Sequence, residues 1–516
     1  MQSISYGRIF IVRVNFEGVQ GLIQKRIAKS LLSVLLFVGM LITPVQGHST
    51  VSAASSYEGL ENTINVIMAD SRMQAASSSI TVRKASTGEV VYQKEGDKGI
   101  TPASTLKILT AAAALETLGE NYRFTTDVLT NGKVTNGTLN GNLYLRGTGD
   151  PTLLKRDFEG FASKLSALGI KRISGNLVGD DTWFDTIRLS PGIDRNDESY
   201  YYAAQISALT VSPNTDYDAG TVIVDAKPAA RGRATKVTLT PETNVVQIVN
   251  RSTTVPKGSK NTLRIERQYG TNKIVVTGNA PIGSAGKKEW ITVSNPTAYA
   301  LDIFKKSLLA KGIKIIPSSK VLRGKTLADS KVLVSKNSMP LKSLMRPFLK
   351  LSNNSHAEVL AKAMGKKKYG EGSWTAGLQV MRDYAGSVGL QVDEWLFEDA
   401  SGMSHANKVT SAQLTELLYK VRTAPWYGSF VQGLPVAGAP DRLIGGTLRS
   451  RMKTGTAKGN VIAKTGSLTN VSALAGYAQT KDGETLIFSV LTQDHKSSTL
   501  PVLDRIATAI TNSTIK

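Results

Sequence analysis

"TPASTLKILTAAAALETLG", residues 101–119, decides the reading of this chain. Its alanines and leucines predict a buried helix, opened by Pro102 and Ser104 and closed by Gly119. Two polar groups stand at its head, Ser104 and, three residues on, Lys107. Positions i and i+3 share a helix face, so hydroxyl and amine approach each other. A serine hydroxyl is a weak nucleophile until a neighbour takes its proton. A lysine can take it if burial lowers the lysine pKa, because desolvation disfavours the ammonium. The helix N-terminus adds N–H donors for a developing oxyanion. Alone, Ser-x-x-Lys is common and reads more simply as a capping serine beside a solvated lysine.

Two later stretches change that balance. "LSNNSH" (351–356) holds Ser352 and Asn354 at the mouth of a helical pattern. "AKTGSL" (463–468) holds Lys464, Thr465, Gly466 and Ser467 on strand-like sequence. Ser-x-x-Lys, Ser-x-Asn and Lys-Thr-Gly in this order form the signature of penicillin-binding proteins and class A β-lactamases. The roles follow from the side chains. Ser352 relays a proton between Lys107 and a leaving amine, and Asn354 holds a substrate amide. Lys464 supplies charge, and Thr465 and Ser467 supply hydroxyls, for a terminal carboxylate. Gly466 leaves the strand edge clear for substrate. The backbone N–H groups of Ser104 and Ser467 form the oxyanion hole. A second Lys-Thr-Gly, at 453–455, runs into a polar Gly-Asn loop, and Lys453 reads as a loop lysine.

The chain has 516 residues, 41% hydrophobic and 20% charged, enough for two or three domains. Lys25, Arg26 and Lys29 precede the uncharged stretch 30–42, and small residues follow at 51–55. That order predicts a secretory signal over 1–53, too short in its apolar part for a bilayer span of about 20 residues. The segment before Lys25 is longer than such a signal needs, which points to a start codon further downstream. There is no cysteine, so thiol catalysis and disulfides are excluded. Net charge is +23; the first 53 residues carry five basic and one acidic residue, leaving +19. An exported basic protein is drawn to anionic wall polymers or lipid headgroups rather than nucleic acid. No metal or cofactor motif is present, and no Gly-x-Ser-x-Gly elbow. A Ser–His–Asp triad through His356 or His405 has no motif behind it; His356 reads as a helix-face residue beside Asn354.

Residues 79–95 predict a hairpin, and 460–493 predict three antiparallel strands before a closing helix. Helical patterns cover 60–70, 352–365, 377–389 and 410–421. Between them, 127–335 is strand-rich and broken by Gly, Asn and Pro, as an insert would be. The expected class is α/β (α+β): a five-stranded antiparallel sheet flanked by helices, with two nested strand-rich inserts. The catalytic domain spans 54–126 and 336–516. The outer insert spans 127–214 and 286–335, and the inner one 215–285.

With these residues in place, the chain resembles the low-molecular-mass penicillin-binding proteins of class C, type 4, in serine peptidase family S13. "LRGTGDPTL" (145–153), "DDTWFD" (180–185), "YYAAQISALTVSPN" (201–214) and "LPVAGAPDRLIGGTLRSRM" (434–452) carry the likeness beyond the motifs. The separation of 248 positions from Ser104 to Ser352 is too long for a class A β-lactamase. The resemblance implies a D-Ala-D-Ala carboxypeptidase that also cuts D-Ala–diaminopimelate cross-links and is acylated by β-lactams. It implies a side pocket for the free amino-acid end of diaminopimelate, to which Asp197 and Leu468 are assigned. One departure stands out. Where the family commonly reads Asp-Gly-Ser-Gly-Leu-Ser-Arg, this chain reads "DASGMSH" (399–405), so His405 replaces an arginine near that pocket. The alternatives are a serine β-lactamase using the same site and a penicillin-binding wall scaffold without turnover.

Overall fold

The computed structural model describes residues 57–515. The expected signal segment lies outside them. The central sheet has five strands in the order Val461–Leu468, Val471–Gln479, Thr485–Gln493, Ser77–Lys84, Val90–Lys94. Every neighbouring pair is antiparallel. The two inner C-terminal strands are buried on both faces, so they read as near-continuous apolar runs rather than alternating ones.

Alternation still sorts their side chains. Ala473, Ala475, Tyr477, Ile487 and Leu491 join one core, with the helices Lys107–Leu118, Asn354–Tyr369, Trp374–Ser387 and Ser411–Lys420. Leu474, Ala478, Leu486, Phe488 and Val490 join the other, under the first helix, Glu58–Met68, and the last, Leu500–Asn512. The apolar side of the closing helix thus packs on the sheet and on the first helix.

The helix that carries Lys107 is the hub. Residues 107–115 are all buried. Its four consecutive alanines allow close approach from every side, which an amphipathic surface helix has no need of. It does not begin at Ser104 as expected. A tight 3-10 turn spans Ala103–Leu106, and the α-helix starts at Lys107. A 3-10 turn has three residues per turn, so Ser104 and Lys107 stack directly. Ala103 opens this turn at φ 45°.

The chain leaves the catalytic half at Thr125 and returns after Asn337. The strands Val321–Arg323, Leu177–Asp180, Leu143–Gly147, Thr125–Thr130 and Lys331–Asn337 form one mixed sheet. Two three-stranded sheets follow inside it: Lys236–Thr240, Thr221–Lys227 and Lys287–Thr292; then Gln247–Val255, Lys273–Pro281 and Arg264–Arg267. Strand pairing carries the inner part past residue 285, because Lys287–Thr292 pairs with Thr221–Lys227. A shared apolar core runs through the whole insert, including helix Pro296–Ala310. Among the described residues no helix is long and apolar enough to cross a membrane.

Candidate active site

Three elements converge at one end of the sheet: the 3-10 turn with Ser104, the start of helix Asn354–Tyr369, and the edge strand Val461–Leu468. The signature residues meet there although 112 residues separate Ser352 from Lys464. Lys107 Nζ lies 2.8 Å from Ser104 Oγ, 2.7 Å from Asn354 Oδ1 and 2.6 Å from the Ser401 carbonyl. The amine is fully buried, and desolvation brings its pKa down to about 7 against the pull of Asp399 and Glu358. A neutral amine has two N–H donors and one lone pair. With Asn354 Oδ1 and the Ser401 carbonyl taking the donors, the lone pair faces the Ser104 hydroxyl.

Lys464 is also fully buried. Its Nζ donates to Ser352 Oγ at 2.8 Å and to the Thr465 carbonyl at 2.8 Å. Desolvation, then the nearby Lys107, holds its pKa well below the usual lysine value. Ser352 stands at φ 60°, just before the helix. The helix itself is capped by Asn353, whose Oδ1 accepts from the His356 N–H at 3.2 Å.

A cleft of about 780 Å³ opens over these groups. Ser104, Ser352, Asn354, Asp197, His405, Ser467 and Leu468 line it, while Lys107 and Lys464 lie behind its wall. A larger hollow of about 990 Å³, between the first and last helices, contains none of the signature residues. Asp197 Oδ1 accepts from the Tyr202 hydroxyl at 2.9 Å within the insert's side of the cleft rim, and the Tyr202 carbonyl accepts from Asn354 Nδ2 at 2.8 Å, which ties that side to the catalytic half. Lys453 is exposed in a loop, as its polar surroundings indicated.

Three residues expected to face substrate have partners within the protein. Asn354 was expected to hold substrate, but both ends of its amide are engaged: Oδ1 by Lys107 and Nδ2 by the Tyr202 carbonyl at 2.8 Å. Thr465 donates its hydroxyl to Thr447 Oγ1 at 2.7 Å, and it is Thr447 that lines the cleft. Gly466 also clears space for the protein itself. A Cβ there would stand 2.7 Å from the Pro102 carbonyl and 3.0 Å from Ala103 Cβ, so glycine lets the edge strand lie against the serine turn. His356 lies on the Asn354–Tyr369 helix beside Asn354, as expected, on its inner side. It is fully buried, with Nε2 2.9 Å from the Tyr217 carbonyl, and burial lowers its pKa to about 4.

The edge strand also aims its backbone. The Ala463 N–H donates to the Pro435 carbonyl at 2.9 Å, on the side away from Val471–Gln479. The two-residue period of a strand sends the Thr465 and Ser467 N–H groups the same way.

Sequence reading missed the buried carboxylates Glu358 and Asp399 behind Lys107. Glu358 accepts from Trp374 Nε1 at 2.6 Å, Ala400 N at 3.2 Å and Ser401 N at 3.0 Å. Burial, and the neighbouring Asp399, raise its pKa to about 7.

The model of the D-Ala-D-Ala carboxypeptidase 3 (S13) family matches residues 60–510. This chain belongs to the S13 peptidase family. A D-alanyl-D-alanine carboxypeptidase of Actinomadura sp. (strain R39) is 38% identical over 452 residues, 87% of this chain and 84% of that one. The D-alanyl-D-alanine carboxypeptidase DacB of Haemophilus influenzae is 26% identical, covering 78% of this chain and 82% of its own. A crystal structure of penicillin binding protein 4 (dacB) from Haemophilus influenzae superposes with a TM-score of 0.74 at 24% identity, over 86% of this chain and 97% of that one. The S13 chain described here is therefore a serine peptidase hydrolase with the penicillin-binding-protein-4 fold, inserted domains included.

Proposed function

We propose that this S13 peptidase cleaves the bond between the two D-alanines of a peptidoglycan stem through an acyl-enzyme on Ser104, and that the same site opens D-Ala–diaminopimelate cross-links. The observation that carries the reading is the buried, near-neutral Lys107 amine 2.8 Å from Ser104 Oγ. Ser104 Oγ attacks the carbonyl of the penultimate D-alanine, and its proton passes to Lys107. The oxyanion is held by the N–H groups of Ser104 and Ser467, which match the donor pattern of acyl-transfer sites. Collapse breaks the C–N bond. Ser352, hydrogen-bonded to Lys464, gives its proton to the departing amine and is reprotonated by Lys107, which returns to the neutral amine. Water then attacks the ester; Lys107 takes its proton and passes it to Ser104 Oγ as the C–O bond breaks, which releases the shortened stem and restores the free serine.

The terminal carboxylate faces Thr447 and Ser467, and its negative charge, once bound, favours the ammonium form of Lys464 behind them. Asp197, Tyr202, Leu468 and His405 form the rim expected to read the free end of the stem. The relatives' carboxypeptidase names support this substrate class. A second Haemophilus influenzae structure, complexed with a β-lactam, supports binding of such compounds at this site. We also read residues 1–53 as an export leader, which places the enzyme at the wall, loosely held by its positive charge.

The test is D-alanine release from a peptide ending in D-Ala-D-Ala, and cleavage of a cross-linked muropeptide, by wild type and Ser104→Ala. Release by wild type alone is expected. Undiminished release by the variant would refute Ser104 as nucleophile.

A further inference from the structure

Lys107 makes three polar contacts. Two are with signature side chains; the third, with the Ser401 carbonyl, has no role in the scheme above. It leads to a charge. The peptide that carries this carbonyl also carries the Gly402 N–H, which donates to Asp399 Oδ1 at 2.7 Å. A trans peptide points its C=O and N–H in opposite directions. Asp399 and Lys107 therefore sit at the two ends of a single peptide group.

Every contact of Asp399 suits an anion. It is fully buried, which raises its carboxyl pKa, and it also accepts from the Ser404 N–H at 2.7 Å and from Asn407 Nδ2 at 2.9 Å, which with Gly402 and Lys107 pull it back towards the anion. The loop has no freedom to drift. Glu358 holds the Ala400 and Ser401 N–H groups, and Gly402, at φ 83°, lies against the Ala103 carbonyl. The groups that face Lys107 are Lys464 from the edge strand, Glu358 from the Asn354–Tyr369 helix and Asp399 from the loop.

We infer that Asp399 is the positioning residue of the serine's base: through the Ser401–Gly402 peptide it orients Lys107 Nζ and stabilises the ammonium formed when Lys107 takes the Ser104 proton. The inference rests on the proposed acyl-enzyme reading. Hydrogen bonds in a chain polarise one another in a low-dielectric interior. An anion on the N–H makes the carbonyl at the other end a better partner for a cation. The logic parallels a carboxylate that orients a histidine base, here with a peptide bond as the intermediary. Asp399 and Glu358 both raise the Lys107 pKa against desolvation.

The test is the pH dependence of acylation by benzylpenicillin in wild type and Asp399→Asn, with thermal unfolding measured alongside. Loss of a charged hydrogen-bonding partner lowers the high-pH plateau by about 10- to 100-fold. Loss of the anion also lowers the Lys107 pKa, so the acid limb moves to lower pH by about one unit. A merely structural defect lowers the plateau and leaves the limb in place; that outcome, or an unchanged profile, overturns the inference. No acylation of wild type would instead refute the acyl-enzyme reading itself. If Asp399→Asn does not fold, wild type with selective 15N-glycine labelling decides. The Gly402 amide proton shift must titrate with the midpoint of the acid limb. A Gly402 resonance indifferent to that titration overturns the inference.

Discussion

Replacing Gly402 with alanine tests whether the loop that ends on Lys107 also fixes the serine turn. An added Cβ would stand 1.9 Å from the Ala103 carbonyl oxygen and 3.2 Å from the Ser104 nitrogen. An ordinary contact needs 3.4 Å or more, so the turn or the loop must yield by about 1.5 Å. The backbone is at φ 83°, where a side chain adds about 1–2 kcal/mol of strain. Overpacking adds about 1–3 kcal/mol. The variant should lose about 2–5 kcal/mol of stability by these two costs. Ser104 moves with Ala103, and a misplacement of about 1 Å costs about 100-fold in rate. Acylation by benzylpenicillin, followed by mass spectrometry below the melting temperature, reads the rate. Gly160→Ala is the control: it lies in helix Lys155–Ala167, and nothing lies within 4 Å of its added Cβ. Acylation of Gly402→Ala within about three-fold of wild type, with an unchanged melting temperature, would refute the packing argument.

Two further outcomes are expected. His356 has its pKa lowered to about 4 in the fold, against an ordinary 6.5. The unfolded chain therefore binds more protons below 6.5, and the histidine's contribution is lost as pH falls from 6.5 towards 4. That loss totals about 3 kcal/mol. Melting temperature against pH should flatten over this window in His356→Gln, and an identical slope would contradict the assignment. His405→Arg should change the preference between stem peptides that differ at the third residue, while benzylpenicillin acylation stays within about three-fold. Unchanged preference would remove His405 from substrate recognition.

The parts of the site legible in the sequence were those tied to fixed spacing. Ser104 and Lys107 are one turn apart, Ser352 precedes a capped helix, and Lys464 to Ser467 lie on an edge strand. The sheet was legible for the same reason, since a hairpin and three consecutive strands can be read locally. What stayed hidden depends on long-range contact. Asp399 and Glu358 are isolated acids in sequence, and only the fold brings both to Lys107. The packing of Gly466 on the serine turn was hidden because that turn is more than 360 residues away. Thr447 has no motif, and it enters the cleft by a hydrogen bond to Thr465. The helices Lys155–Ala167 and Leu341–Lys350 escaped notice as well. The first lies within a strand-rich insert and the second contains Pro347, which breaks the helical pattern.

The measurement that tests the central claim most directly is the intact mass of the protein after benzylpenicillin, with Ser104→Ala treated in parallel. The account predicts one penicillin added to wild type, persisting on the timescale of the measurement, and none added to the variant. An adduct of equal yield on Ser104→Ala would contradict it. So would an unmodified wild type, whether it rapidly hydrolyses the antibiotic, as a β-lactamase would, or leaves it intact.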